Sequence, residues 1–188
     1  MALTRASKVC LLLLMTMFIF SSAEVGQLKE TNMTFYLHEW SVDLNFTAVT
    51  TATNVTNATA IPVTGIPGFP WTLTTFGTMF CADDPITVGF DKTSAQIGRA
   101  QGIFVTSALD GSSTHVSASI VFTNATYNGS TIEIQGASHN YQSVNEVAVV
   151  GGTGIFRYAR GYATFQTVYQ NKANWYAVAK CNVTVLHY

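Results

Sequence analysis

From Met33 to the C-terminus the chain is a succession of short runs rich in β-branched and aromatic residues, cut at short intervals by turn-forming clusters. Met33 to Trp40 sets the pattern. It places Met33, Phe35, Leu37 and Glu39 on one face and Thr34, Tyr36, His38 and Trp40 on the other, the two-residue period of a strand. Further runs cover 71–80, 98–106, 115–123, 130–136, 144–150, 161–169 and 175–187. Between them stand turn signals such as Leu109-Asp110-Gly111-Ser112 and Gly151-Gly152-Thr153-Gly154. No segment longer than about a turn and a half carries helical periodicity. Eight short strands without helices leave two ways of burying the apolar faces, a sandwich or a closed barrel.

The residues ahead of this region read as a targeting segment. Arg5 and Lys8 precede an unbroken apolar run from Val9 to Phe20, and Ser21-Ser22-Ala23 offers small residues for cleavage. A signal peptide over 1–23, a short tail over 24–32 and one domain over 33–188 are expected. The apolar run falls short of the roughly 20 residues that span a bilayer, so a secreted protein, not a membrane one, is expected. Two of the nine basic residues and none of the ten acidic ones lie in that segment, leaving seven against ten and a net charge of −3. Scattered basic residues on an acidic domain argue against nucleic acid as a partner.

Seven Asn-x-Ser/Thr triplets fit the secretory route. Asn54 and Asn57, in a loop-like stretch, are the preferred glycosylation sites, with Asn45 and Asn124 next. Asn32 is a further triplet, Asn128 falls in an expected turn and Asn182 in an expected strand. Cys81 and Cys181 remain after the signal, either paired or as two buried free thiols. The Pro- and Gly-containing stretch from Asn54 to Pro70 reads as a long loop near an opening, with Phe69 and Trp71 at the rim.

Glu39 is the leading catalytic candidate. It shares a strand face with apolar residues, and a carboxyl group pointed into an apolar cavity is held protonated, which suits a general acid. Asp83 and Asp84 precede Pro85, where they either act as an acid–base pair or cap a turn; Asp84 is preferred. Arg99 offers a cation to a phenolic oxygen or carboxylate, or serves as an ion-pair partner. His38, His115, His139 and His187 stand on separate segments without paired ligand spacing, so no metal is expected. The glycines at 151–154 open no helix and have no P-loop lysine, so a tight turn explains them better than a nucleotide. No cofactor is expected.

Seven runs carry a family resemblance: Phe76-Gly77-Thr78, Asp83-Asp84-Pro85-Ile86-Thr87, Gly98-Arg99-Ala100-Gln101-Gly102, Tyr127-Asn128-Gly129-Ser130-Thr131, Val149-Val150-Gly151-Gly152-Thr153-Gly154, Ala159-Arg160-Gly161-Tyr162-Ala163 and Val185-Leu186-His187-Tyr188. In this order and spacing the chain resembles the plant dirigent proteins over roughly 33 to 188. The resemblance implies an all-β fold, an eight-stranded antiparallel β-barrel shared with allene oxide cyclases, and association into a homodimer or homotrimer. It implies a pocket acid at Glu39, where the family usually has Asp, and places Asp84 on the pocket side.

Two activities follow from the resemblance. One is stereoselective coupling of phenoxy radicals from phenylpropanoids such as coniferyl alcohol, giving optically active lignans in the apoplast, with a separate laccase or peroxidase as oxidant. The other is dehydrating ring closure of isoflavanols, as in pterocarpan synthases. A non-catalytic binder of cell-wall phenolics is the third reading. Ser138, Asn145, Phe104 and Thr106 depart from the pinoresinol-forming pattern, which has Asp, Arg and tyrosines there; radical coupling is the first expectation, and the loss of that Asp and Arg with the acid kept at Glu39 speaks for the second activity as the alternative.

Overall fold

The computed structural model describes residues 26–41 and 57–188. The expected signal peptide and the glycosylation candidates Asn45 and Asn54 lie outside the described residues. Among the described residues nine strands form one sheet: β1 (Lys29–Trp40), β2 (Ala60–Thr64), β3 (Met79–Thr87), β4 (Gln96–Thr106), β5 (Ser113–Phe122), β6 (Thr131–His139), β7 (Asn145–Thr153), β8 (Arg160–Asn171) and β9 (Tyr176–His187). A 3₁₀ turn, Gly154–Phe156, links β7 to β8. All neighbours pair antiparallel in the order β1-β9-β8-β7-β6-β5-β4-β3-β2. A further β1–β3 pairing, with Tyr36 opposite Thr87 and Leu37 opposite Ile86, closes eight of them into a barrel, and β2 lies alongside the first half of β3. The eight-stranded antiparallel barrel is thus the observed fold.

Several boundaries differ from the sequence reading. β1 starts at Lys29, so part of the expected tail belongs to the barrel. The run 71–80 is mostly turn, and the strand is Met79–Thr87, with Asp83-Asp84-Pro85 inside it instead of in a turn. Proline is tolerated because β2 pairs with β3 only as far as Ala82 and β1 only from Ile86. The missing N–H of Pro85 therefore falls where that edge of β3 has no ladder partner to supply. The expected loop from Asn54 to Pro70 contains β2. Trp71 is buried, its indole N–H donating to the Ile66 carbonyl at 3.3 Å, while Phe69 is exposed. In the glycine run, Gly151 and Gly152 are strand residues and only Gly154 takes a positive φ, 60°.

Inward-facing side chains divide the lumen in two. At one end Phe35, Phe122, Ile132, Phe156, Val183 and Val185 fill it, with Phe122 and Phe156 ring centroids 5.6 Å apart and Tyr127 5.2 Å from Phe156. Each such side chain contributes about 1.5–3 kcal/mol through burial. Towards the other end the inward positions are small, namely Ala82, Ala100, Gly102, Ala118 and Ala179, and these leave the space that becomes a cavity.

Close strand approach requires glycine at position 98. A Cβ there would lie 2.1 Å from the Val121 carbonyl oxygen, a backbone atom that cannot swing aside. Gly98→Ala is expected to cost about 1–3 kcal/mol, read as a thermal midpoint lowered by roughly 2–10 °C. An unchanged midpoint would show that β4 and β5 separate more easily than their spacing implies.

Cys81 faces outward and is exposed, whereas Cys181 is buried in the core; both are free thiols. Burial raises the Cys181 thiol well above its ordinary value, so it stays protonated. Among the glycosylation candidates, Asn57 is exposed in a turn, while the side-chain oxygen of Asn124 accepts from the Tyr127 N–H at 3.2 Å.

Candidate functional site

The cavity occupies the end of the barrel where β1 finishes and has a volume of about 190 Å³. Its wall is almost wholly apolar, formed by the small residues above together with Leu37, Ile103, Phe104, Val116, Val147 and Phe165. Four polar side chains enter it: Glu39, Asp84, Ser138 and Asn145. An apolar concave site with a few convergent polar groups has the usual composition of a small-molecule pocket.

Glu39 occupies the inward face of β1 as the alternation predicts, opposite Ala177 of β9. The Ser41 hydroxyl donates to its Oε1 at 2.6 Å. Burial pushes its carboxyl up from the ordinary range, an effect that the Ser41 hydrogen bond partly offsets. Asp84 points inward from β3 and is 3% exposed. Burial, and next the nearby charge of Glu39, push its carboxyl up to about 8, against smaller opposing effects of the Thr59 hydrogen bond and the Arg99 charge. Burial of both carboxyls, with the Glu39 charge adding to the cost of ionising Asp84, keeps the Asp84 carboxyl protonated at neutral pH.

Strand alternation sends Asp83 and Arg99 to the outside of the barrel, where Arg99 Nε and Asp83 Oδ1 are 2.5 Å apart. A second guanidinium N–H donates to the Asp83 carbonyl. Arg99 therefore acts as an ion-pair partner on the wall and does not line the cavity, contrary to the ligand-holding role considered for it. Phe104, Ser138 and Asn145 do line it. Thr106, the fourth departure from the pinoresinol-forming pattern, is instead fully buried and donates to the Leu73 carbonyl at 2.9 Å. The Asn145 side-chain oxygen is taken up by the His139 N–H at 2.6 Å.

Thr59 is the residue that the sequence reading missed. Its hydroxyl donates to Asp84 Oδ1 and accepts from the Trp40 N–H at 3.0 Å, while its backbone pairs with Trp40 and Asp83. It thereby holds the end of β1 and the middle of β3, and so both acids, in one place. In sequence it was visible only as the hydroxyl residue of the Asn57 triplet, within a stretch read as loop. Thr59→Val removes a hydrogen bond that favours the charged form of Asp84, so its pKa should rise further and the alkaline limb of any acid-dependent rate should move to higher pH. An unmoved limb would exclude Asp84 from the titration that controls the rate.

Behind Glu39, on the outer face of β1, His38 is fully buried, with Nδ1 2.7 Å from the Tyr176 hydroxyl and Nε2 2.8 Å from Thr87 Oγ1. Thr87 donates its own proton to the Gly89 carbonyl, so it accepts from Nε2–H, and Nδ1 accepts from Tyr176. Burial lowers the His38 pKa, keeping the ring neutral. It ties β1, β3 and β9 together beside the acids.

The profile of the family described as dirigent-like protein matches residues 30–186. This chain belongs to the dirigent family. Dirigent protein 15 of Arabidopsis thaliana is 36% identical over 171 residues, covering 88% of this chain and 84% of the relative. Pterocarpan synthase 1 of Glycine max is 40% identical over 116 residues, 60% of this chain and 61% of that protein. Among solved structures, a pterocarpan synthase dirigent protein superposes with a TM-score of 0.74 at 29% identity, covering 86% of this chain and 92% of the other. A pyocyanin demethylase, TM-score 0.54 at 14% identity, shares the dirigent barrel as a fold alone.

Proposed function

We propose that this dirigent protein binds a phenolic substrate in the barrel and directs an acid-assisted ring closure on one face of it, in the manner of a pterocarpan synthase. The observation that carries this reading is the convergence of two carboxyls, Glu39 and Asp84, on an otherwise apolar cavity. The acid protonates the benzylic hydroxyl of an isoflavanol, the C–O bond breaks, and water leaves. A neighbouring phenol oxygen attacks the resulting cation or quinone methide, and its proton returns to the carboxylate. The apolar wall orients the substrate so that one face of the electrophile meets the phenol. Similarity to pterocarpan synthases in sequence and in structure supports the reading.

A second reading is stereoselective coupling of phenoxy radicals made by a separate laccase or peroxidase, with the same acids assisting closure of the coupled quinone methide. It is favoured by the name dirigent protein borne by relatives that align over most of both chains, the Arabidopsis thaliana protein above among them. The signal-like N-terminus and the acceptor triplets favour a secreted protein, the setting in which the radical-coupling reading would operate.

Incubation with isoflavanols in the absence of any oxidant tests the first reading, which fails if no dehydrated, ring-closed product forms. Coniferyl alcohol with a one-electron oxidant tests the second, and a racemic lignan excludes it for that substrate.

A further inference from the structure

Trp175, at the tip of the β8–β9 hairpin, has a φ of 53°. That left-handed conformation suits glycine, and for a bulky side chain it is a strained outlier. Strain of this kind persists where the surroundings hold it in place and where function gains from it. Here the holding group is Ser41, whose N–H donates to the Trp175 carbonyl at 2.9 Å and whose hydroxyl donates to Glu39 Oε1. The strained backbone and the candidate acid thus share one residue.

Trp175 also lines a second recess of about 70 Å³, together with Glu39, Ser41, Leu73, Lys172 and Tyr176. Glu39 borders both this recess and the main cavity. The acid therefore borders two spaces, one walled mainly by aliphatic side chains and one where Trp175 and Tyr176 stand beside the polar Gln170, Asn171 and Lys172.

We propose that the recess is a second aromatic subsite, in which Trp175 takes one ring of a two-ring phenolic substrate while the other ring occupies the main cavity and the reacting carbons lie at Glu39. The inference rests on the proposed ring-closing function and adds where the second ring binds. Stacking on an indole face supplies directional attraction beyond burial. The left-handed backbone at 175 keeps Trp175 on the recess that Glu39 borders, where a glycine would hold the same turn without strain but offer no ring.

Trp175→Gly removes the ring and the strain, whereas Trp175→Ala removes the ring and keeps the strain. The glycine variant should melt higher than the alanine variant by roughly 2–6 °C, the reverse of the usual order. Both should bind an isoflavanol about tenfold more weakly than the native protein by calorimetry, with binding of single-ring coniferyl alcohol unchanged. Affinity that follows the presence of the ring while stability follows the backbone identifies a binding residue. Native affinity for the isoflavanol in both variants, or equal loss for both ligands, overturns the subsite and leaves the ring-closing reading intact. Failure of the native protein to bind an isoflavanol at all overturns both.

Discussion

Asp84→Asn is expected to yield a protein that is more stable than the native chain at pH 8 and indistinguishable from it near pH 4. In the folded protein the Asp84 carboxyl titrates at about 8, far above its ordinary value of 3.8. The folded state therefore holds a proton that the unfolded chain releases, and stability falls as pH rises between those two values. Full stability is present below about pH 4 and is lost by the time pH passes 8. Each pH unit in that window is worth up to about 1.4 kcal/mol per proton. Relaxation around a buried charge reduces the total, so a difference on the order of 2–4 kcal/mol at pH 8 is the reasonable scale. Asparagine keeps the shape, still accepts from Thr59, and has nothing to ionise. Thermal midpoints of the two proteins measured from pH 4 to 9 should diverge with rising pH, by roughly 5–15 °C at the upper end. Parallel curves would show that Asp84 ionises in the fold without the cost its burial implies.

Glu39→Gln is expected to reduce turnover by about 10²–10⁴-fold with substrate affinity changed only a few-fold. Glutamine preserves the length and the acceptor for Ser41 but has no proton to deliver. A second readout separates loss of an acid from loss of packing. The Glu39 charge raises the Asp84 pKa, so removing it lets Asp84 ionise at lower pH, and the alkaline limb of the residual rate should shift downwards. The double variant Glu39→Gln with Asp84→Asn should lose less than the product of the single losses, because residues acting as a unit are not additive. Turnover unchanged in Glu39→Gln would transfer the role of acid to another group.

Much of the barrel was legible in the chain because its signals are local. The alternation that places Glu39 with Met33, Phe35 and Leu37 is a property of one strand, and turn clusters mark most strand ends. Errors arose where long-range pairing overrides local preference. Asp83-Asp84-Pro85 has the composition of a turn, yet it extends as a strand because β4 pairs along its whole length and the proline falls in the gap between β1 and β2. Ala60–Thr64 lies in a Pro-containing segment and becomes a strand by pairing with β3. Phe69 and Trp71 were equivalent in sequence, and only packing buries one and exposes the other.

The site divides in the same way. Motif order along the sequence carried the family resemblance and, through it, the closed barrel, while strand period gave the all-β class and set Glu39 on the apolar face of β1. Tertiary structure alone decided that Arg99 turns outward to Asp83, that Thr59 joins β1 to β3 at the acids, and that the strained Trp175 is tied through Ser41 to Glu39. The physical reason is that a carboxyl's protonation depends on burial and on neighbouring charges, and in a closed barrel those neighbours come from strands far apart in the chain.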